Sequence, residues 1–86
     1  MSYQLQVITP QGKAYEGQVE HAQIPGDPGF FGVLSNHAPL ISSSLGGPLS
    51  IREKGGKNRF FQVGPGFFEV RKNQAVFLAD SFAERS

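Results

Sequence analysis

Apolar side chains recur at every second position through much of the chain. Tyr3, Leu5 and Val7 alternate with Gln4, Gln6 and Ile8, which predicts a strand with one buried face, and Thr9-Pro10-Gln11-Gly12 follows with turn chemistry. A second extended segment is predicted over about residues 14–24. Gly17 and the step from Val19 to Ala22 break its period, which predicts a bulge, and Pro25-Gly26-Asp27-Pro28-Gly29 ends it. Phe30-Phe31-Gly32-Val33-Leu34 is a short apolar run before Ser35-Asn36-His37, and reads as a strand that is either buried or sticky outside.

Pro39-Leu40-Ile41 and Ser42 to Leu45 precede Gly46-Gly47-Pro48; Leu49 and Ile51 then alternate with Ser50 and Arg52 up to a hairpin turn at Gly55-Gly56. Phe61 and Val63 flank Gln62, and Gly64-Pro65-Gly66 suits a tight turn needing positive φ. Phe68 and Val70 flank Glu69, and Lys72-Asn73-Gln74 leads into Ala75-Val76-Phe77-Leu78-Ala79-Asp80, so the second half reads as a meander. Apolar residues nowhere recur at helical spacing, and Gly or Pro interrupts almost every ten residues. The expectation is an all-β fold of short strands, a sandwich or barrel with little or no helix.

Length and charge narrow this picture. The 86 residues make one domain, and a chain of this size buries only roughly 60% of the surface its unfolded form exposes. Eight Phe and two Tyr suffice for a core. The net charge of +1 comes from eight basic and seven acidic residues spread along the chain, without a cationic stripe, so nucleic acid is not an expected partner. There is no cysteine, hence neither disulfide nor thiolate metal site. The start lacks a basic region ahead of an apolar stretch, and no apolar run approaches the roughly 18 residues that cross a bilayer, so a soluble domain is expected.

The supply of catalytic groups is thin. His37 sits in a turn after an apolar strand, with Asp27 nearby in sequence, but a turn histidine bonded to backbone is the commoner case. His21 shares a predicted strand with Glu16 and Glu20, which falls short of a metal ligand set. Pro25-Gly26-Asp27-Pro28-Gly29 lacks the Lys-Ser or Lys-Thr of a phosphate loop and opens no helix. No cofactor and no metal are expected. A short strand in a small sandwich cannot hide both faces, so core packing accounts for half of Phe30, Phe31, Val33 and Leu34, and a protein interface for the rest.

The order of motifs carries a resemblance. Val19-Glu20-His21-Ala22-Gln23-Ile24-Pro25-Gly26, then Gly29-Phe30-Phe31-Gly32-Val33-Leu34-Ser35-Asn36-His37-Ala38-Pro39-Leu40, then the segments 46–51, 64–70 and 73–80, resemble the epsilon subunit of the F-type ATP synthase over essentially residues 1–86. The resemblance implies a flattened β-sandwich of about ten strands that docks on the gamma subunit and touches the c-ring, as a non-catalytic rotor part coupling proton-driven rotation to ATP synthesis. It implies a peripheral place on the F1-facing side of an energy-transducing membrane, cytoplasmic in a bacterium. In the family a C-terminal helical hairpin that inhibits ATP hydrolysis follows the sandwich; this sequence stops at Phe82-Ala83-Glu84-Arg85-Ser86, so that arm is expected to be missing, by nature or by truncation.

Carried over by residue, Gly26, Asp27, Phe30, Phe31 and Gly32 match the family's ring-facing loop, with His37 close by, and Ala38, Pro39, Leu40 and Ser42 match the edge toward gamma. Phe30 departs from the pattern, since relatives often place an acidic or polar residue there. That favours van der Waals contact with the ring over a charge pair. Two other readings stay open: a ligand-binding or enzymatic β-barrel using His37 and Asp27, and a generic adhesion sandwich without a rotor role.

Overall fold

The structure, a computed structural model, describes residues 1–26, 29–34 and 38–85. Among these there are nine strands and no helix: β1 (Tyr3–Thr9), β2 (Gly12–Pro25), β3 (Phe30–Leu34), β4 (Leu40–Ser44), β5 (Gly47–Glu53), β6 (Asn58–Val63), β7 (Gly66–Arg71), β8 (Gln74–Ala79) and β9 (Phe82–Arg85). The last of these is a strand where the sequence reading places only a terminus.

The strands form one path, β4-β7-β8-β1-β2-β5-β6-β9, with β3 added to β2. The first half of β2 pairs with β1, whereas its second half pairs with β5 on one side and β3 on the other. This 14-residue strand therefore belongs to two layers, β4-β7-β8-β1-β2 and β3-β2-β5-β6-β9. The β2–β5 register shifts between Val19 and His21, which places the expected bulge at Glu20. All ladders are antiparallel except β1–β8, where Gln4 to Ile8 run beside Gln74 to Leu78 in parallel.

The period-two residues meet between the layers. Leu5, Val7, Val19, Ile24, Val33, Leu49, Phe61, Phe68 and Phe77 are at most 1% exposed. Phe31 of β3 meets Phe68 of β7 edge to face with centroids 5.4 Å apart, and Tyr15 of β2 meets Phe61 of β6 at 5.4 Å. Tyr3 Oη donates to the Val33 carbonyl at 2.7 Å, so a buried hydroxyl joins β1 to β3. Each such buried aromatic contributes about 1.5–3 kcal/mol relative to leaving it in water.

Two expectations need correction. The second half is not a simple meander: β6 pairs with β5 and β9, while β7 pairs with β4 and β8. Both the β6–β7 and the β8–β9 connections cross between layers. They cross side by side, Gly64 N donating to the Ser81 carbonyl and Asp80 N to the Pro65 carbonyl, each at 2.9 Å. Neither Gly64 nor Gly66 has positive φ. Their glycine is needed for close approach instead: a Cβ on Gly66 would overlap the Leu78 carbonyl, and one on Gly64 would lie 2.6 Å from Ser81 Oγ.

Candidate docking faces

A two-layer sandwich leaves each layer an outer face, and here the two differ in chemistry. In the first layer the ladder registers line up Ser43, Phe67, Leu78 and Ile8 in one outward row, and Ile41, Glu69, Val76 and Gln6 in the next. Ile41 is 72% exposed, Phe67 59% and Leu78 51%. With Phe68, Glu69 and Val76 they line an open depression of about 190 Å³. Solvated strands usually carry polar residues outward, so contiguous exposed Ile, Phe and Leu on one face mark a surface built to be covered. Glu69 and Arg71 pair at 3.0 Å at its border.

The β1–β2 side of the same face is polar and satisfied within itself. Gln4 Nε2 and Gln6 Nε2 donate to Glu16 Oε2 at 2.6 and 3.0 Å, and Lys13 Nζ donates to its other oxygen at 3.0 Å. The Lys13 ammonium holds the Glu16 carboxyl below its ordinary range, with Gln6 assisting. The apolar half is thus bounded by a network that has little to offer a partner.

The second layer's outer face is lined by His21, Gln23, Ser50, Arg52, Asn58 and Phe60 around a depression of about 300 Å³. Behind one end lies a charge cluster. Tyr15 Oη donates to Glu53 at 2.6 Å; Arg59 pairs with Glu53 at 3.3 Å and grips Glu84 of β9 through Nε and Nη2 at 2.8–3.1 Å. The Arg59 guanidinium lies over the Phe61 and Tyr15 rings, 5.3 and 5.6 Å from their centroids. The Tyr15 hydroxyl holds Glu53 below the usual carboxylate range, while burial, then the Glu53 contact, pushes Tyr15 far above an ordinary phenol.

The residues singled out from sequence fall in three places. Phe30 is 53% exposed and Gly32 is exposed, whereas Phe31 is half-buried against the core and Val33 is buried. Gly26 is buried under the Phe31 ring, which would overlap a Cβ there. Ala38 and Pro39 are exposed, but Leu40 packs on the core and Ser42 shares its inward parity, its hydroxyl donating to the Ser43 carbonyl at 3.0 Å. Asp27 and His37 lie outside the described residues. Ile41, Phe67 and Leu78 were missed. Their signal was present: Leu40-Ile41, Phe67-Phe68 and Val76-Phe77-Leu78 are apolar at both parities, more than one buried face can absorb.

Among the described residues no three His, Cys, Asp or Glu side chains converge as metal ligands. No helix among them is long and apolar enough to cross a membrane, which says nothing of a β-barrel.

The family model described as "ATP synthase, Delta/Epsilon chain, beta-sandwich domain" matches residues 2–85. The ATP synthase epsilon chain of Leptospira borgpetersenii serovar Hardjo-bovis is 45% identical over 74 residues, covering 86% of this chain and 58% of that one. The epsilon chain of Pelotomaculum thermopropionicum is 42% identical over 82 residues, covering 95% and 60%. This chain thus spans about three fifths of the length of such relatives. Among solved structures, a chain of the Euglena gracilis mitochondrial ATP synthase assembly of OSCP, F1 and c-ring superposes with TM-score 0.86 at 20% identity, over 93% of this chain and 51% of that one. A chain of the Tetrahymena thermophila mitochondrial ATP synthase central stalk and c-ring gives TM-score 0.76 at 15% identity, over 93% and 64%. At such identities the likeness speaks for the fold, and the matched residues with the two epsilon chains speak for ancestry. This chain belongs to the β-sandwich family of ATP synthase delta and epsilon chains.

Proposed function

We propose that this chain works as the β-sandwich part of an ATP synthase epsilon chain: a non-catalytic docking element of the central stalk, held between gamma and the c-ring so that proton-driven rotation reaches ATP synthesis. The observation that carries the reading is the apolar outer face of β4, β7 and β8. Ile41, Phe67 and Leu78 stand there in water at more than half exposure, a state that association with another protein relieves. In this reading gamma covers that face and the exposed Ala38-Pro39 edge that leads into β4, with Leu40 and Ser42 supporting it from the inward side.

The ring side is assigned to the β2–β3 end. Phe30 and Gly32 supply the exposed surface, and Gly26 and Phe31 hold the hairpin's shape from within; Asp27 and His37 complete the set by sequence. The contact is apolar at Phe30. The domain then sits peripherally on the F1-facing side of an energy-transducing membrane, through the complex. Co-migration with a purified gamma subunit on size exclusion tests this. A one-to-one complex supports the reading, and separate elution, like that of an unrelated β-sandwich, overturns it.

A further inference from the structure

The outer face of the second layer is not a spare surface. Among the described residues the side chains of His21, Gln23, Ser50 and Asn58 have no protein hydrogen-bond partner and stand side by side around one depression, open to solvent. The register sets His21, Arg52 and Asn58 in one row and Gln23, Ser50, Phe60 and Arg85 in the next. On the other layer Gln4, Gln6 and Lys13 instead spend their donors on one carboxylate, Glu16.

Charge is polarised toward this face as well. Residues 52–59 hold Arg52, Lys54, Lys57 and Arg59 against one acid, Glu53. Arg59 occupies both Glu53 and Glu84. Arg52 keeps only an exposed contact with Glu20 at 3.2 Å; Lys54 and Arg85 have no carboxylate in contact among the described residues, and Lys57 acts on Glu53 through its charge without an ion-pair contact. Phe60, half exposed, stands among these groups as an apolar anchor.

We propose that this face, the outer surface of β2, β5, β6 and β9 bearing Arg52, Phe60 and Arg85, docks an acidic polypeptide segment. The cations select negative charge. The uncharged groups select polypeptide over a phosphate surface: Gln23, Asn58 and Ser50 each donate and accept, so peptide N–H and C=O groups satisfy both halves. A lipid headgroup layer or a nucleic-acid backbone offers mainly acceptors, and would leave the amide oxygens unbonded. The inference is independent of what covers the apolar face on the opposite layer.

The test is titration of the 86-residue chain with a short glutamate-rich peptide, followed by amide chemical shifts. Shifts at Gln23, Ser50, Arg52 and Phe60 are expected, and Arg52→Gln should weaken binding about two- to fivefold, the scale of one exposed charge pair. Lys72→Gln, which removes the same charge from the β7–β8 turn, should leave the affinity unchanged. Equal losses in both variants, shifts scattered over the surface, or no binding would overturn the proposal. So would tighter binding to phosphatidylglycerol vesicles or to oligothymidylate, since either makes the acceptor surface a phosphate one.

Discussion

Phe67 on β7 stands directly across from Leu78 on β8 in the antiparallel register, and both point away from the core. Their chain neighbours Phe68 and Phe77 form the next pair and are buried, with rings stacked 6.0 Å apart. Two adjacent phenylalanines thus hold opposite offices. Phe67→Ser should change stability by no more than about 0.5 kcal/mol, the scale of a surface substitution. Phe68→Ala should remove about 3–5 kcal/mol, which in a domain of this size leaves little folded protein. Urea denaturation of the two variants checks the difference.

Gly66 should tolerate no side chain. A Cβ would overlap the Leu78 carbonyl, which β8 holds fixed on the ladder, so the connection between layers must move to admit a methyl group. Gly66→Ala is expected to lower the melting temperature far more than Gly55→Ala. Gly55 lies in an exposed hairpin at φ 100° with open space around it, so strain there is confined to one turn. Equal losses at the two positions would contradict the close-approach account.

The Tyr15–Glu53 contact shapes the acid end of the pH profile, and burial of Tyr15, with that contact second, shapes the alkaline end. Glu53 is depressed below its ordinary 4.5, so its contribution is present above that value and fades as pH falls through the lower folded one. Glu53→Gln should flatten the acid limb of stability in part, because exposed Glu16 is depressed in the same window. Tyr15 is raised above its ordinary 10.0, so its contribution is full below pH 10.0 and is lost as pH rises further. Tyr15→Phe should shrink the alkaline limb without abolishing it, since buried Tyr3 is raised too. Chemical denaturation across pH, for the parent and both variants, reads out each limb.

Phe30 and Phe31 offer a second neighbouring pair of opposite character. Phe30→Asp should leave the fold nearly as stable while weakening the proposed contact with a c-ring; Phe31→Asp should unfold the β2–β3 end, because its ring packs on Phe68 and over Gly26. A large thermal loss in the first variant would place Phe30 in the core.

Much of this was legible in the pattern. Alternation at Tyr3, Leu5 and Val7 named an inward face that the structure buries, and the broken period near Val19 marked the bulge that lets β2 serve two layers. Partner choice was not legible. Period two says which way a side chain points, but not which strand lies beside it, so β6 and β7 read as neighbours when they lie in different layers. The glycines at 64 and 66 suggest turn formers in the sequence because positive φ is the commoner reason for glycine, whereas here the reason lies on β8 and in Ser81. The apolar outer face is hidden in the sequence for a related reason. Ile41, Phe67 and Leu78 are far apart in sequence, and only the β4–β7 and β7–β8 registers bring them together.

The most direct test of the central claim is calorimetric titration of a gamma subunit with the parent chain, Phe67→Ser and Phe60→Ser. Saturable one-to-one binding by the parent is expected, with a loss of roughly 2 kcal/mol for Phe67→Ser as for a buried aromatic anchor, and little change for Phe60→Ser on the opposite layer. Absence of binding by the parent, or equal affinity for all three chains, would contradict that claim.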